Sequence, residues 1–222
     1  MKQEKSDKPK KANLLPKNYV QRIEEILDLS WRILKTRFID GRHQISKEAP
    51  FQHYFAHIIS VIGEQFCTKR DDIFVVDLET KLDDVKGKNK YLDITCSFLK
   101  QNVSCAIELK FKTAQQGAQD HGRIDAFVDI EAVEIACDTY GYDIGRFYMI
   151  TDSTVYINQS KRGVGTVFTI HHGARTKANA IFDYSRCKGR ENVIVNLKNP
   201  YHFKWEQADK WFFLELKIKK CS

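Results

Sequence analysis

Hydrophobic residues recur at helical spacing in three stretches of the chain. Residues 18–40 carry an apolar side chain every three or four positions and end at Asp40-Gly41, which predicts a helix with a glycine exit. A second helix is predicted after the candidate cap Ser46, with Glu48 at its start and Pro50 in its first turns. The same spacing predicts a third helix over residues 124–139.

Two neighbouring stretches instead alternate with a period of two residues, which predicts a β-hairpin. They are residues 91–98 and 103–111, joined by a turn at 99–102. With the turn centred between Lys100 and Gln101, Asp93 faces Glu108 across the hairpin. One face is apolar and requires a hydrophobic cover; it carries Leu92, Ile94, Cys96, Phe98, Val103, Cys105, Ile107, Leu109 and Phe111.

Shorter apolar runs predict the remaining strands. Strands are expected at residues 73–76 and 146–151, with a charged loop at 83–90. The last third is expected to be rich in strands, at residues 154–158, 166–171, 192–197 and 211–219. This order of elements predicts an α/β fold with a mixed central sheet flanked by helices and a strand-rich C-terminal part.

Length and composition are those of one ordinary globular domain. The chain has 222 residues, of which 42% are hydrophobic. Residues 1–17 hold six lysines against two acidic residues, so a flexible basic tail is predicted before a single domain at 18–222. No run approaches the ~18 apolar residues of a membrane span, and the start lacks a secretory signal, so we expect a cytoplasmic protein.

The charge of the domain is divided between two segments. Residues 71–143 hold 15 acidic against 8 basic residues, whereas residues 151–204 hold 9 basic against 3 acidic. This indicates either an ordinary solvated surface or an acidic, cation-binding half beside a half that binds a polyanion. The aromatic residues Tyr201, Phe203 and Trp205 are expected either to stack on bases or to pack in the core.

Asp93 and Glu108 form an opposed pair of carboxylates, and Lys110 points to the same face of the hairpin. Opposed acids on adjacent strands repel each other unless something neutralises them, and a divalent cation does so. Hard carboxylate oxygens suit Mg²⁺. The other interpretation of these three residues is a solvated strand face with a ladder of ion pairs.

Leu92-Asp93, followed about fifteen residues later by Glu108-Leu109-Lys110, resembles the PD-(D/E)XK nuclease superfamily, the fold of many type II restriction endonucleases. The resemblance covers about residues 46–151, and Leu92 stands where the family usually has proline. Other acid-x-Lys triplets, Asp84-Val85-Lys86 and Glu215-Leu216-Lys217, lack the opposed aspartate and the flanking elements. The resemblance implies a catalytic core at about 46–151 and a recognition part at about 152–222.

The resemblance also implies the activity and the roles of the residues. We expect a Mg²⁺-dependent endodeoxyribonuclease, with Mn²⁺ as a substitute, in which Asp93, Glu108, Lys110 and Glu48 are catalytic. The metal ligands are Asp93, Glu108 and the carbonyl of Leu109. Glu48 is expected either to support a metal-bound water or a second ion, or to be only an acid at a helix start.

The expected partner is double-stranded DNA. The candidate contacts with DNA are polar or basic; they are Gln52, Lys112, Lys161, Arg162, Arg175, Lys177, Arg186, Lys188 and Arg190. Gln52 has a second interpretation, contact with solvent alone. A type II restriction enzyme further implies a homodimer and a separate cognate methyltransferase. Two other functions remain open: a non-catalytic DNA-binding module, and a repair or junction-resolving nuclease.

Overall fold

The computed structural model describes residues 14–117 and 119–220. Most of the predicted basic tail, residues 1–13, therefore lies outside the described residues. The helices are α1 (Tyr19–Ile39), α2 (Glu48–Gln65), α3 (Gln119–Thr139) and the single turn α4 (Thr154–Ile157). The strands are β1 (Phe74–Val85), β2 (Lys88–Phe98), β3 (Val103–Lys112), β4 (Ile144–Thr151), β5 (Ala180–Asp183), β6 (Ile194–Leu197), β7 (Trp205–Ala208) and β8 (Trp211–Lys219).

The fold is α/β, with a mixed six-stranded sheet in the order β1-β2-β3-β4-β8-β7. Strands β1, β2 and β3 form an antiparallel meander, and the chain then passes through α3 to β4, which runs parallel to β3. The last strand, β8, pairs with β4, so the end of the described chain shares the central sheet. Strands β5 and β6 form a separate hairpin.

The sheet has a hydrophobic core on each face. One core lies under α1 and α2 and the other under α3 and residues 156–205. Gly145 of β4 lets α3 pack closely, because a Cβ atom there would lie 2.2 Å from Cγ1 of Val133. The aromatic residues Tyr201, Phe203 and Trp205 are buried in the second core, so the core interpretation of these residues is confirmed.

The predicted register of the hairpin is confirmed, with Ile94 paired to Ile107 and Cys96 to Cys105. The predicted apolar face is wrong at one position. Leu92 packs in the core beneath α3, whereas Ile94 packs beneath α1 and α2. The reason is that strand pairing between β2 and β3 stops at Ile94, so regular alternation is lost at Asp93.

Several local expectations are wrong. Residues 154–158 contain the helix α4 rather than a strand, and residues 166–171 form no strand. The N-cap of α2 is Lys47 rather than Ser46, and the expected loop at 83–90 is mostly strand around a turn at Lys86-Gly87. Whether a short apolar run forms a strand depends on how it packs. Here packing against α3 and its neighbours determines the structure of these runs. No helix in the described ranges is long and apolar enough to cross a membrane.

Candidate active site

Asp93 lies where β2 separates from β3. The last paired residues of the two strands are Ile94 and Ile107. Beyond them the backbone N–H of Leu109 donates to Oδ2 of Asp93 at 2.6 Å, so a side chain of β2 takes the place of a strand hydrogen bond. The opening of the sheet thus brings the Asp93 carboxylate against the Glu108-Leu109-Lys110 segment.

Glu108 is buried, with 2% of its surface exposed. The interpretation of this hairpin face as solvated therefore does not hold for Glu108, because α3 covers it. Burial raises the pKa of Glu108 well above its ordinary value, and Asp129 adds to this effect while Lys90 opposes it. Oε1 of Glu108 lies 3.2 Å from Nζ of Lys90, within ion-pair distance but without a well-aligned hydrogen bond.

Asp129 of α3 bridges two lysines across the face of the sheet. Its Oδ2 lies 2.7 Å from Nζ of Lys110, and its Oδ1 lies 2.9 Å from Nζ of Lys90. Only 11% of the Lys110 side chain is exposed. Burial lowers the pKa of Lys110, but the carboxylates of Asp129 and Glu48 outweigh it and leave the pKa raised. Lys110 therefore carries a proton.

Helix α2 closes the site on another side. Oε2 of Glu48 accepts a hydrogen bond from the N–H of Phe111 at 3.2 Å and lies 3.5 Å from Nζ of Lys110. Nε2 of Gln52 donates to the backbone carbonyl of Asp93 and to Oε1 of Glu79, each at 2.7 Å. Gln52 is thus engaged with the protein, where it holds the backbone of Asp93 in place.

The carboxyl group of Asp93, like that of Glu108, has a raised pKa. Burial, the largest effect, raises the pKa of Asp93 to about 6. The N–H of Leu109 and the ammonium of Lys110 oppose this rise, whereas the carboxylates of Glu48 and Asp129 add to it. Carboxyl groups whose pKa is shifted by burial and by like charges are typical of functional sites.

We refer to Glu48, Asp93, Glu108 and Asp129 with Lys90 and Lys110 as the carboxylate cluster. Sequence reasoning identified four of these residues and missed two, Lys90 and Asp129. The sequence predicts a loop at Lys90, and Asp129 is one of several acids on a predicted helix. The available signal was the spacing of Asp125 and Asp129, which puts two acids one turn apart on one face of α3. The triplet Glu79-Thr80-Lys81, also passed over, places Glu79 beside Gln52.

Lys112 is half-buried at the end of β3, and the seven candidate DNA contacts that follow β4 fall into two groups. Five of them lie exposed between the strands; they are Lys161, Arg162, Arg175, Lys177 and Arg186. The loop at 188–190 instead packs on α3. The carbonyl of Lys188 lies 2.9 Å from Nε2 of His121, and Nε of Arg190 donates to Oδ1 of Asp125 at 3.0 Å. This loop is therefore next to the carboxylate cluster, one helical turn from Asp129.

Replacement of Asp129 by asparagine is expected to lower the free energy of unfolding by about 2 kcal/mol, because two largely buried ion pairs, one of them also a hydrogen bond from Lys90, lose their anion. Urea unfolding of the two proteins measures the difference. The matched control is Asp28→Asn, which removes a half-exposed pair with Lys217 and is expected to cost less than about 1 kcal/mol. Equal effects of the two substitutions would contradict the assignment.

Comparison of the chain with protein-family models, with curated proteins and with solved structures finds no match in any of the three. In the described part of the chain, no group of three or more histidine, cysteine, aspartate or glutamate side chains is arranged to hold a metal ion. Three of the four carboxylates of the cluster are instead paired with Lys90 and Lys110, and the fourth, that of Asp93, accepts from the N–H of Leu109.

Proposed function

We propose that this protein is a Mg²⁺-dependent endodeoxyribonuclease of the PD-(D/E)XK superfamily with a restriction-endonuclease-like fold. One observation carries the proposal: Asp93 binds the backbone of the Glu108-Leu109-Lys110 segment where two strands separate, inside a buried cluster of acids. The order α2, β1–β3, α3, β4 agrees with the elements expected around such a site. The contact of Glu48 on α2 with Lys110, and the cover that α3 gives to Glu108, support the proposal.

The donor groups of the cluster suit a hard divalent ion such as Mg²⁺. Four carboxyl groups stand against two ammonium groups, so the formal charge is −2 when all four are ionised; a bound divalent cation would balance that charge and would favour the ionised forms of Asp93 and Glu108. Mg²⁺ usually keeps several waters and binds through only one or two carboxylates, so a set of three side-chain ligands is not required. Asp93, Glu108 and the carbonyl of Leu109 would hold it.

Each polar group of the cluster has a separate part in the proposed hydrolysis. A bound divalent ion supplies a nucleophile from water at neutral pH and offsets negative charge on the phosphate. Lys110, protonated and held by Asp129 and Glu48, directs a positive charge at the phosphate oxygens. Gln52 and the N–H of Leu109 keep Asp93 in one orientation.

Sequence-specific cutting of double-stranded DNA as a type II restriction enzyme is the form of the activity that we propose. The basic segment at 151–204 supplies exposed lysines and arginines for the DNA backbone and the base edges. A homodimer is the matching assembly, since a two-fold protein suits a palindromic target. A separate methyltransferase would protect the host DNA.

Incubation of the protein with phage DNA in Mg²⁺ is expected to yield a discrete ladder of fragments. The same incubation in EDTA is expected to give no cutting. Mn²⁺ is expected to substitute for Mg²⁺. A smear, or cutting confined to branched DNA, would assign the protein to the repair or junction-resolving nucleases instead. A protein with Lys110 and Asp93 both replaced serves as the control for contaminating nuclease.

One observation favours a second function, a DNA-binding module without catalysis. Lys90 and Lys110 already neutralise part of the cluster, and Lys90 lies against Glu108, one of the proposed metal ligands. Binding of DNA measured in EDTA and in Ca²⁺, beside cleavage in Mg²⁺ and Mn²⁺, separates the two functions. Tight binding with no cutting of any DNA would establish the module and refute the nuclease.

A further inference from the structure

Three arginines are buried in the described part of the chain, and two of them face carboxylates. Nη1 of Arg22 lies 3.1 Å from Oδ2 of Asp72. Arg146 has Glu24 and Glu215 each at 3.4 Å. The third, Arg123 of α3, is 1% exposed and has no carboxylate within ion-pair distance among the described residues. A buried cation without a nearby anion destabilises a protein, so a bound anion would stabilise the charge of Arg123.

The hydrogen bonds of Arg123 are also incomplete. Its Nη2 donates to the carbonyl of Val155, whereas Nη1 has no partner among the described residues. A guanidinium group carries five N–H donors. Burial lowers the pKa of Arg123, and of the nearby acids Asp120 is exposed while Asp125 is engaged by Arg190. The protein itself therefore leaves this guanidinium short of an anionic acceptor.

Two groups that donate hydrogen bonds, the hydroxyl of Tyr156 and the ammonium of Lys112, lie near Arg123 at the start of α3. The ring of Tyr156 has its centroid 5.5 Å from Cζ of Arg123. A Cβ atom at Gly122 would lie 2.3 Å from Oη of Tyr156 and 3.5 Å from Cε of Lys112, so these two side chains meet over one glycine at the start of α3. Burial raises the pKa of Tyr156 to about 12, which keeps its hydroxyl protonated. No ion pair engages Lys112 in the described part of the chain.

We propose that Arg123, Lys112 and Tyr156 form a binding site for a phosphate group, separate from the carboxylate cluster and adjoining it. Three donors of this kind at the first turns of a 21-residue helix suit a phosphate, whose oxygens accept several hydrogen bonds and whose charge the helix N-terminus favours. The backbone of Gly165 covers the guanidinium, since a Cβ atom there would lie 3.2 Å from Cζ of Arg123. Because this backbone covers the guanidinium, binding of an anion at Nη1 requires the turn at residues 160–166 to shift.

The site lies beside Lys110, because Lys110 and Lys112 are two residues apart on β3 and therefore share one face of the strand. If the cluster cuts DNA, the bound group is a phosphate of the strand being cut, next to the one that is attacked. This identification of the source rests on the proposed function, whereas the presence of a phosphate site does not. Two kinds of phosphate group in DNA have the chemistry that this site binds: an internucleotide phosphate and a terminal phosphate.

The test is a titration of the full chain with inorganic phosphate in EDTA. Chloride at equal ionic strength is the control, and thermal unfolding and calorimetry measure binding. The wild type is expected to show a saturable rise in Tm with phosphate. Arg123→Met is expected to abolish that rise without lowering the Tm of the unliganded protein, because it removes an uncompensated buried charge. Lys112→Met is expected to weaken phosphate binding about tenfold, and the control Lys217→Met not at all.

Two duplexes of one sequence, with a 5′-phosphate or a 5′-hydroxyl, distinguish the sources. Equal loss of affinity for both duplexes in Arg123→Met indicates an internucleotide phosphate, and loss on the phosphorylated duplex alone indicates a terminal one. Should Arg123→Met not fold, Lys112→Met and Tyr156→Phe carry the test. No response of the wild type beyond that to chloride, or full phosphate binding by the variants, overturns the proposal. Phosphate binding without any DNA cleavage would refute only the nuclease.

Discussion

Lys110→Ala is expected to lower the rate of DNA cleavage by about 10³-fold or more, in the range of residues that act directly on the reacting group. The ammonium of Lys110 is held by Asp129 at 2.7 Å and by Glu48 at 3.5 Å, so its position is fixed before substrate arrives. DNA affinity in Ca²⁺ is expected to change by less than about threefold, since one charge among many basic residues is lost. Single-turnover cleavage and fluorescence anisotropy measure the two quantities.

The chain contains a matched control for this substitution. Lys217 belongs to another Glu-Leu-Lys triplet, at Glu215-Leu216-Lys217, but it pairs with Asp28 on the surface. Lys217→Ala is expected to keep the cleavage rate within about twofold of the wild type, as for a surface ion pair. Cleavage retained by Lys110→Ala, or lost in both variants, would show that the reaction takes place elsewhere.

Asp93→Asn is expected to abolish cleavage and at the same time to stabilise the protein in EDTA. Asparagine keeps an oxygen that accepts the N–H of Leu109 and removes a charge that burial disfavours. The pKa of Asp93 is raised to about 6, against about 3.9 for an unfolded aspartate. The gain in the free energy of unfolding at pH 7.5 is therefore about 1 to 3 kcal/mol, at about 1.4 kcal/mol for each pKa unit.

The sign of the pH dependence follows from proton binding. Between about pH 4 and 6 the folded wild type binds more protons at Asp93 than the unfolded chain, so its stability falls as the pH rises through this window. Below about pH 4 the aspartate is protonated in both states, and the advantage of Asp93→Asn is expected to vanish. Urea unfolding at several pH values measures this dependence, and a destabilised Asp93→Asn would contradict it.

The elements that sequence reasoning predicted well are those with long, regular patterns. Helix α1 and the hairpin of β2 and β3 each carry their periodicity over eight residues or more, and the short turn leaves only one register that buries the apolar set. The same register predicts that Asp93 faces Glu108, but the strands separate one residue earlier, and Asp93 accepts a hydrogen bond from the N–H of Leu109 instead of pairing with Glu108. The prediction of strands from the short apolar runs at 154–158 and 166–171 was wrong. Residues Thr154–Ile157 are β-branched or aromatic, yet they form α4 against α3, because packing outweighs propensity in a four-residue segment.

The sequence by itself determined the sheet with its helices and the strand pair that carries Asp93, Glu108 and Lys110, because these depend on contacts close along the chain. Only the tertiary structure decided what surrounds those residues. Asp129 reaches Lys90 and Lys110 because the crossover from β3 to β4 lays α3 over that face of the sheet, and no local pattern encodes the contact. The same crossover buries Glu108, and it buries Arg123 where no carboxylate of the described residues lies within ion-pair distance, since burial is a property of the whole packed layer.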